Sequence, residues 1–285
     1  MTHSSLLVAQ QGPVKLGVHG VSKAYRLPDA RGSGGIQQVL KDVSFDIREN
    51  EIVSLIGESG CGKTTLLRIV HGLIQRDRGD ITVDGSVVSG PGADRGIVFQ
   101  QPSLLPWRTA RRNVEFGLEI AGTPRSRRRE RAAELLELIG LSRFADRYYP
   151  HQLSGGMQQR VGLARALAID PEVLLMDEPF SALDAQTREV LQAELLRIHG
   201  ATKMTVLFVT HDLDEAVYLS DRIVVLAAHP GRVKEIVEVP FERPRLDLPT
   251  LRTTPEFAAL RTHIWNLIRP AEQTAPSCSR GEIHV

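Results

Sequence analysis

The sequence predicts an α/β fold: a mostly parallel sheet flanked by helices, with an antiparallel β lobe and an inserted helical lobe. Three observations predict it. Glu51-Ile52-Val53-Ser54-Leu55-Ile56 reads as a buried strand that runs into a glycine-rich loop and then a helical start, Thr65-Leu66-Leu67-Arg68-Ile69-Val70. Strand-sized apolar runs alternate with helical stretches from residue 173 to residue 227, which argues for a parallel sheet covered on both faces. Segments flanking the glycine-rich loop alternate apolar and polar residues with a period of two, as half-buried antiparallel strands do.

Met1 to Pro13 lacks the basic start and apolar stretch of a signal peptide and reads as a disordered leader. Val14 to Tyr25 alternates as a strand, and Leu27 to Gln37, with Pro28, Gly32, Gly34 and Gly35, reads as a loop. Val43, Phe45 and Ile47 mark a second strand, and Ile81 to Val88 a hairpin turning at Asp84-Gly85. From about Ser103 to Gly162 the pattern is helical; Arg127 to Leu141 spaces Ala132, Leu135, Leu136 and Ile139 along one face. Strands are expected at Val173–Met176, Val206–Val209 and Ile223–Ala227, separated by helices at Ala185–His199 and Leu213–Leu219. Beyond Arg243, Pro244, Pro249 and Pro255 read as breaks, leaving one short helix at Phe257–Ile268. The chain divides into a leader at 1–13, a main domain at 14–242 with a helical subdomain at about 103–162, and a short extension at 243–285.

A hydrophobic fraction of 42% is ample for a globular core, and a formal net charge of +1 gives no general pull toward nucleic acid. The two cysteines, Cys61 and Cys278, are far apart and suggest neither a disulfide nor a metal site. No apolar run is long enough to cross a bilayer, so a membrane role requires a partner.

The chemistry centres on Gly57-Glu58-Ser59-Gly60-Cys61-Gly62-Lys63-Thr64, which fits the phosphate-binding P-loop G-x-x-x-x-G-K-[ST]. Its glycines let backbone N–H groups point inward at a helix N-terminus; Lys63 can reach the β- and γ-phosphates and Thr64 can ligate Mg²⁺. The main domain is therefore expected to be a P-loop NTPase core. Val173 to Met176 ends in Asp177-Glu178-Pro179, at the strand edge where such sheets bind ligands. Asp177 suits Mg²⁺, and Glu178 suits orienting and deprotonating an attacking water. A second helix N-terminus that suits an anion lies in Leu153-Ser154-Gly155-Gly156-Met157-Gln158-Gln159-Arg160.

With the P-loop, LSGGMQQR and MDEP in this order, the chain from about Leu16 to Val239 resembles the ATP-binding cassette (ABC) ATPases. The resemblance implies that Ser154, Gly155 and Gly156, with Gln158, contact an ATP held by the opposite subunit. Gly57 through Thr65 would bind that ATP from its own side, and Tyr25 would stack on adenine. Gln100 matches the Q-loop glutamine, with a role toward Mg²⁺ and water. Asp184, in Ser181-Ala182-Leu183-Asp184, matches the D-loop that bridges subunits, and His211 matches the switch histidine near the γ-phosphate.

The stretch Gly90 to Trp107 and the tail from Arg243 resemble the importer branch for nitrate, sulfonate and taurine. Glu58 departs from the proline common there, and Arg111-Arg112-Asn113 is more basic than the usual Leu-Asp-Asn. The resemblance implies ATP and Mg²⁺ as ligands and a homodimer or paired cassette. Its partners would be integral membrane permease subunits and, indirectly, a periplasmic or lipid-anchored solute-binding protein. The place implied is the cytoplasmic face of the inner membrane. The rival is a soluble ABC ATPase of DNA repair or translation. Against it stand a single P-loop, no heptad run, no cysteine cluster and a near-neutral charge.

Overall fold

The computed structural model describes residues 12–26 and 35–269. The leader expected over 1–13 and the loop expected over 27–37 lie mostly outside the described residues, as does the end of the extension with Cys278. Strand β1 (Val14–Arg26) pairs antiparallel with β2 (Ile36–Arg48), which already contains Ile36 and Gln37. Next come β3 (Ile52–Gly57), α1 (Lys63–His71), β4 (Arg78–Val83) and β5 (Ser86–Val87). Asp84 and Gly85 both adopt positive φ, 46° and 74°, as the expected tight hairpin turn requires.

The helical lobe follows β6 (Arg95–Val98) and carries α2 (Ala110–Val114), α3 (Phe116–Ile120), α4 (Arg125–Leu138) and α5 (Gly155–Ala168). The chain then returns to the core with β7 (Val173–Asp177), α6 (Ala185–Thr202), β8 (Thr205–Val209), α7 (Leu213–Leu219), β9 (Arg222–Ala227) and β10 (Arg232–Glu238). The extension adds α8 (Leu248–Arg252) and α9 (Pro255–Ile268).

Two sheets result. One has the order β2-β1-β4-β5 and is antiparallel; the other has the order β10-β9-β3-β8-β7-β6 and is parallel except for its β10 edge. The strands of the parallel sheet distribute their side chains between two cores. Ile52 and Ile56 of β3, Leu174 and Met176 of β7, and Val206 and Phe208 of β8 join the core shared with the helical lobe and the extension. Their neighbours Val53, Leu55, Val173, Leu175, Leu207 and Val209 join the core beneath the antiparallel lobe and α1. The period-two pleat thus feeds both cores from continuous apolar runs, so these strands show no polar alternation in sequence.

Four elements correct the sequence reading. β6 has only four residues, and β10 mixes four charged residues with three apolar ones and alternates exposed with more buried positions as an edge strand, so neither stands out as an apolar run. Pro249 and Pro255 do not end regular structure. They sit in the first turns of α8 and α9, where the missing N–H costs nothing, behind the capping carboxylate of Asp247 and hydroxyl of Thr254.

His199 of α6 is buried, and its Nε2 donates to the Asn50 carbonyl at 3.1 Å while Nδ1 has no partner. Burial, then the charge of Arg243, lowers its pKa from the ordinary 6.5 to about 4. Because the folded-state value lies below the unfolded one, the unfolded chain takes up the proton first. Stability therefore falls as pH drops through 6.5 and levels off below about 4, with up to about 3 kcal/mol at stake. His199→Gln keeps a donor for Asn50 without a titrating ring. Denaturant melts at stepped pH should show a shallower acid loss in the variant than in the parent over this window.

Candidate functional site

The site lies where β3, β7 and β8 end at the carboxyl edge of the parallel sheet. Gly60 and Gly62 take φ of 80° and 95°, and a Cβ on Gly62 would stand 2.7 Å from Leu40 Cδ2. Only glycine allows the loop to curl this close to β2. Lys63 is buried, and its ammonium donates to the carbonyls of Gly57 at 2.8 Å and Glu58 at 3.0 Å, which arches the loop around its own lysine. Cys61 turns its thiol inward, where burial raises its pKa, so this residue contributes backbone rather than a side chain to the loop's outer face. Ser59 and Gly60 are exposed, and Thr65 is partly buried in the first turn of α1.

Thr64 Oγ1 donates to Asp177 Oδ1 at 3.1 Å, across 113 residues of sequence. Burial pushes the Asp177 carboxyl above the usual carboxylate range, partly offset by the Thr64 hydroxyl. Two hard oxygen donors thus converge beside the P-loop, a set that suits Mg²⁺ completed by phosphate and water oxygens. Among the described residues no group of three His, Cys, Asp or Glu gathers into a larger metal site.

Glu178 follows Asp177 with φ of 46°, a left-handed conformation that costs a non-glycine residue about 1–3 kcal/mol. Its amide donates to Val209 O at 3.0 Å, and its carbonyl accepts from the Ser181 amide at 3.2 Å and the Ser181 hydroxyl at 2.9 Å. This pinned turn points the carboxylate at His211, whose Nδ1 lies 3.0 Å from Glu178 Oε2. Gln100 Nε2 donates to the same Ser181 hydroxyl at 3.0 Å. Ser181 therefore ties the Gln100 segment to the Glu178 turn. In the sequence, Ser181 stands out only as the first residue of its four-residue motif.

Ser154 caps α5, its Oγ accepting from the Met157 amide at 3.3 Å, and Ser154 and Gly155 are exposed. A Cβ on Gly156 would approach Thr187 Cγ2 at 2.6 Å, so this glycine lets α5 lie against α6. Gln158 donates to the carbonyls of Pro150 and Leu153 at 2.9 and 3.1 Å, and so holds the turn that leads into Ser154. Asp184 caps α6 by accepting from the Thr187 amide at 2.9 Å, and that bond holds its carboxyl below the usual range. Tyr25, near the end of β1, is 39% exposed, with the Lys23 ammonium 5.4 Å from its ring centre. Among the described residues no hydrogen bond joins it to the P-loop.

Behind His211 lies a buried network that sequence reasoning missed. Thr210 Oγ1 donates to Glu215 at 2.6 Å, and Gln192 Nε2 donates to the other Glu215 oxygen at 3.1 Å. Burial raises the Glu215 pKa. Its only sequence signal is a carboxylate among the apolar residues of a short helix.

The Gln100 segment is also fastened to α5. Arg165 donates to the carbonyls of Pro102 and Ser103, and Gln159 to that of Phe99. Asn113 is buried and knits the Leu105–Thr109 turn, accepting from the Leu105 amide at 2.8 Å and donating to three carbonyls. Beyond that turn is a polar groove of about 300 Å³, bordered by Trp107, Arg111, Arg112, Arg125 and Arg129. The Arg111 guanidinium is held bidentate by Asp146 at 2.6 and 2.9 Å.

Residues 40–181 match the family model described as ABC transporter. An uncharacterized ABC transporter ATP-binding protein of Methanocaldococcus jannaschii is 53% identical over 256 residues, covering 90% of this chain and 92% of the relative. The taurine import ATP-binding protein TauB of Rhizobium johnstonii is 46% identical, covering 84% and 92%. Among solved structures, the dimeric cassette MJ0796 bound to ADP and Pi superimposes with a TM-score of 0.68 at 34% identity, covering 80% of this chain and all of that one. None of the described helices is long and apolar enough to cross a membrane.

Proposed function

We propose that this chain, which belongs to the ATP-binding proteins of ABC transporters, works as one of two cassettes that close over ATP and so drive an importer. The solute is a small anion or zwitterion of the nitrate, alkanesulfonate or taurine kind. The observation that carries the mechanism is the pair of contacts at one sheet edge, Thr64 with Asp177 and His211 with Glu178. In our reading the P-loop amides and Lys63 take the β- and γ-phosphates, and Tyr25 stacks on the adenine. Thr64 and Asp177, with Gln100, hold Mg²⁺, which when bound neutralises phosphate charge.

Glu178 accepts the proton of the attacking water, and His211 orients that carboxylate and faces the γ-phosphate. Ser154, Gly155 and Gly156 face the nucleotide of the other copy, and Asp184 lies at the same seam. Supporting this is their position in one chain: Gly155 lies against Leu183 of the Ser181–Asp184 segment, and Gly156 against Thr187 in the first turn of the helix that segment leads into. Gln100 passes closure to the helical lobe, because its segment is bonded at one end to Ser181 and at the other to α5. The groove bordered by Trp107 and Arg112 is where we place a cytoplasmic loop of the permease. The cassette then sits peripherally on the inner face of the membrane, and the solute-binding protein acts only through the permease.

The test is purification of the tagged full chain from its native membranes. Integral membrane permease subunits should accompany it, and ATP turnover in the reconstituted assembly should rise when the solute-loaded binding protein is added. Recovery with nucleic acid in place of a membrane partner would refute the importer assignment.

A further inference from the structure

The extension grips α7, the short helix that begins two residues after His211. Four successive carbonyls at the end of α7, Val217 to Ser220, would lack helical partners. Arg245, with its side chain 1% exposed, donates to the carbonyls of Val217 at 3.0 Å, Tyr218 and Ser220. Arg243 donates to the Leu219 carbonyl at 2.7 Å and to Asp221 at 2.9 Å. Two cations thus sit at the negative end of the helix.

The front of α7 is held as well. Asp214, three residues after His211, accepts from Arg261 Nε through one oxygen and from Arg252 Nε through the other, both at 2.8 Å. Arg252 also donates to Glu189 of α6 at 2.9 Å. Asp212 caps α7 and meets Arg188, which in turn donates to the Leu183 carbonyl at 3.1 Å. The apolar side chains of Phe257 and Ile264 on α9 are buried in the core that contains Ala216 and Val217.

We infer that residues 243–269 are a brace for the switch histidine: by holding α7 at both ends they set His211 against Glu178, and so govern turnover rather than nucleotide capture. The arginines are positioning residues; none touches the P-loop. The inference rests on the proposed roles of His211 and Glu178. It adds that the extension, outside the nucleotide site, is needed for the rate. Because Arg252 and Arg261 are partly exposed, they can be changed without opening the core.

The test uses the full chain in its transporter assembly, with R252A/R261A, the charge-preserving R252K/R261K, and H211A alone and combined with the alanine pair. A displaced catalytic group costs up to about 10²-fold, so the alanine pair should lose about 10- to 100-fold in turnover with nucleotide affinity and melting temperature kept. The lysine pair should recover part of that loss. In the H211A background the alanine pair should cost nothing more, because both act through one group. D214N, which frees the same arginines from the other side, should reproduce the loss if the alanine pair folds poorly. Parental turnover in the clamp variants, or an equal further loss without His211, would overturn the brace while leaving the site reading intact. Unchanged turnover in H211A alone would sink both.

Discussion

Glu178→Gln should bind ATP as the parent does, turn over about 10²–10⁴-fold more slowly, and accumulate as a nucleotide-loaded dimer. The physical reason lies in how the residue is held. Its left-handed backbone is fixed by Val209 and Ser181, not by the carboxylate, so the amide substitution leaves the turn intact. The side chain keeps its size and can still meet His211. What is lost is the ability to take a proton from water. The groups proposed to bind phosphate, Lys63, Thr64 and the loop amides, lie on a different strand end and are untouched. If the two copies come apart only after hydrolysis, the variant stays closed. Phosphate release, equilibrium nucleotide binding and light scattering with and without ATP check the three parts separately. A phosphate-release rate near the parent's would remove Glu178 from the role of base.

Much of this site is legible in the sequence because its residues are set by local backbone demands. Gly60, Gly62 and Lys63 are confined to one spacing by the curl of the loop. Asp177 and Glu178 end an apolar strand, and His211 follows another. Ser154, Asp184 and Asp212 are helix caps, which composition marks. What escapes is anything made by contacts between distant segments. The Ser181 hydroxyl becomes a junction only because Gln100 arrives from 81 residues away. Glu215 has a role only once Gln192 and Thr210 surround it. The extension illustrates the same limit, since its prolines look like interruptions until the caps in front of them are seen. Its arginines look like surface charge until α7 lies beneath them. β10 escapes for the opposite reason: an edge strand needs no apolar run.

Gly155→Asp should leave the isolated chain folded and able to bind nucleotide, yet abolish ATP-dependent pairing and cut hydrolysis by at least about 10²-fold. Folding should survive because a Cβ on Gly155 makes only an ordinary 3.6 Å contact with Leu183 Cδ2. A carboxylate in the first turn of α5 also favours the helix. Binding should survive because the P-loop and its strand are far along the chain and share no hydrogen bond with Ser154–Gly156. The loss should come from the other copy's ATP, which would meet a negative charge where it needs helix N–H groups. Neutralising donors at a transferring phosphoryl group act mainly in the transition state, so the rate should fall further than the affinity. Gly155→Ala, which adds the Cβ without the charge, should lose far less and separate sterics from electrostatics. Titrating labelled nucleotide into monomer and measuring dimer formation by sedimentation distinguishes the possibilities. If G155D paired and hydrolysed normally, each nucleotide would be processed within a single chain. The exposed N-terminus of α5 would then have no part in the chemistry.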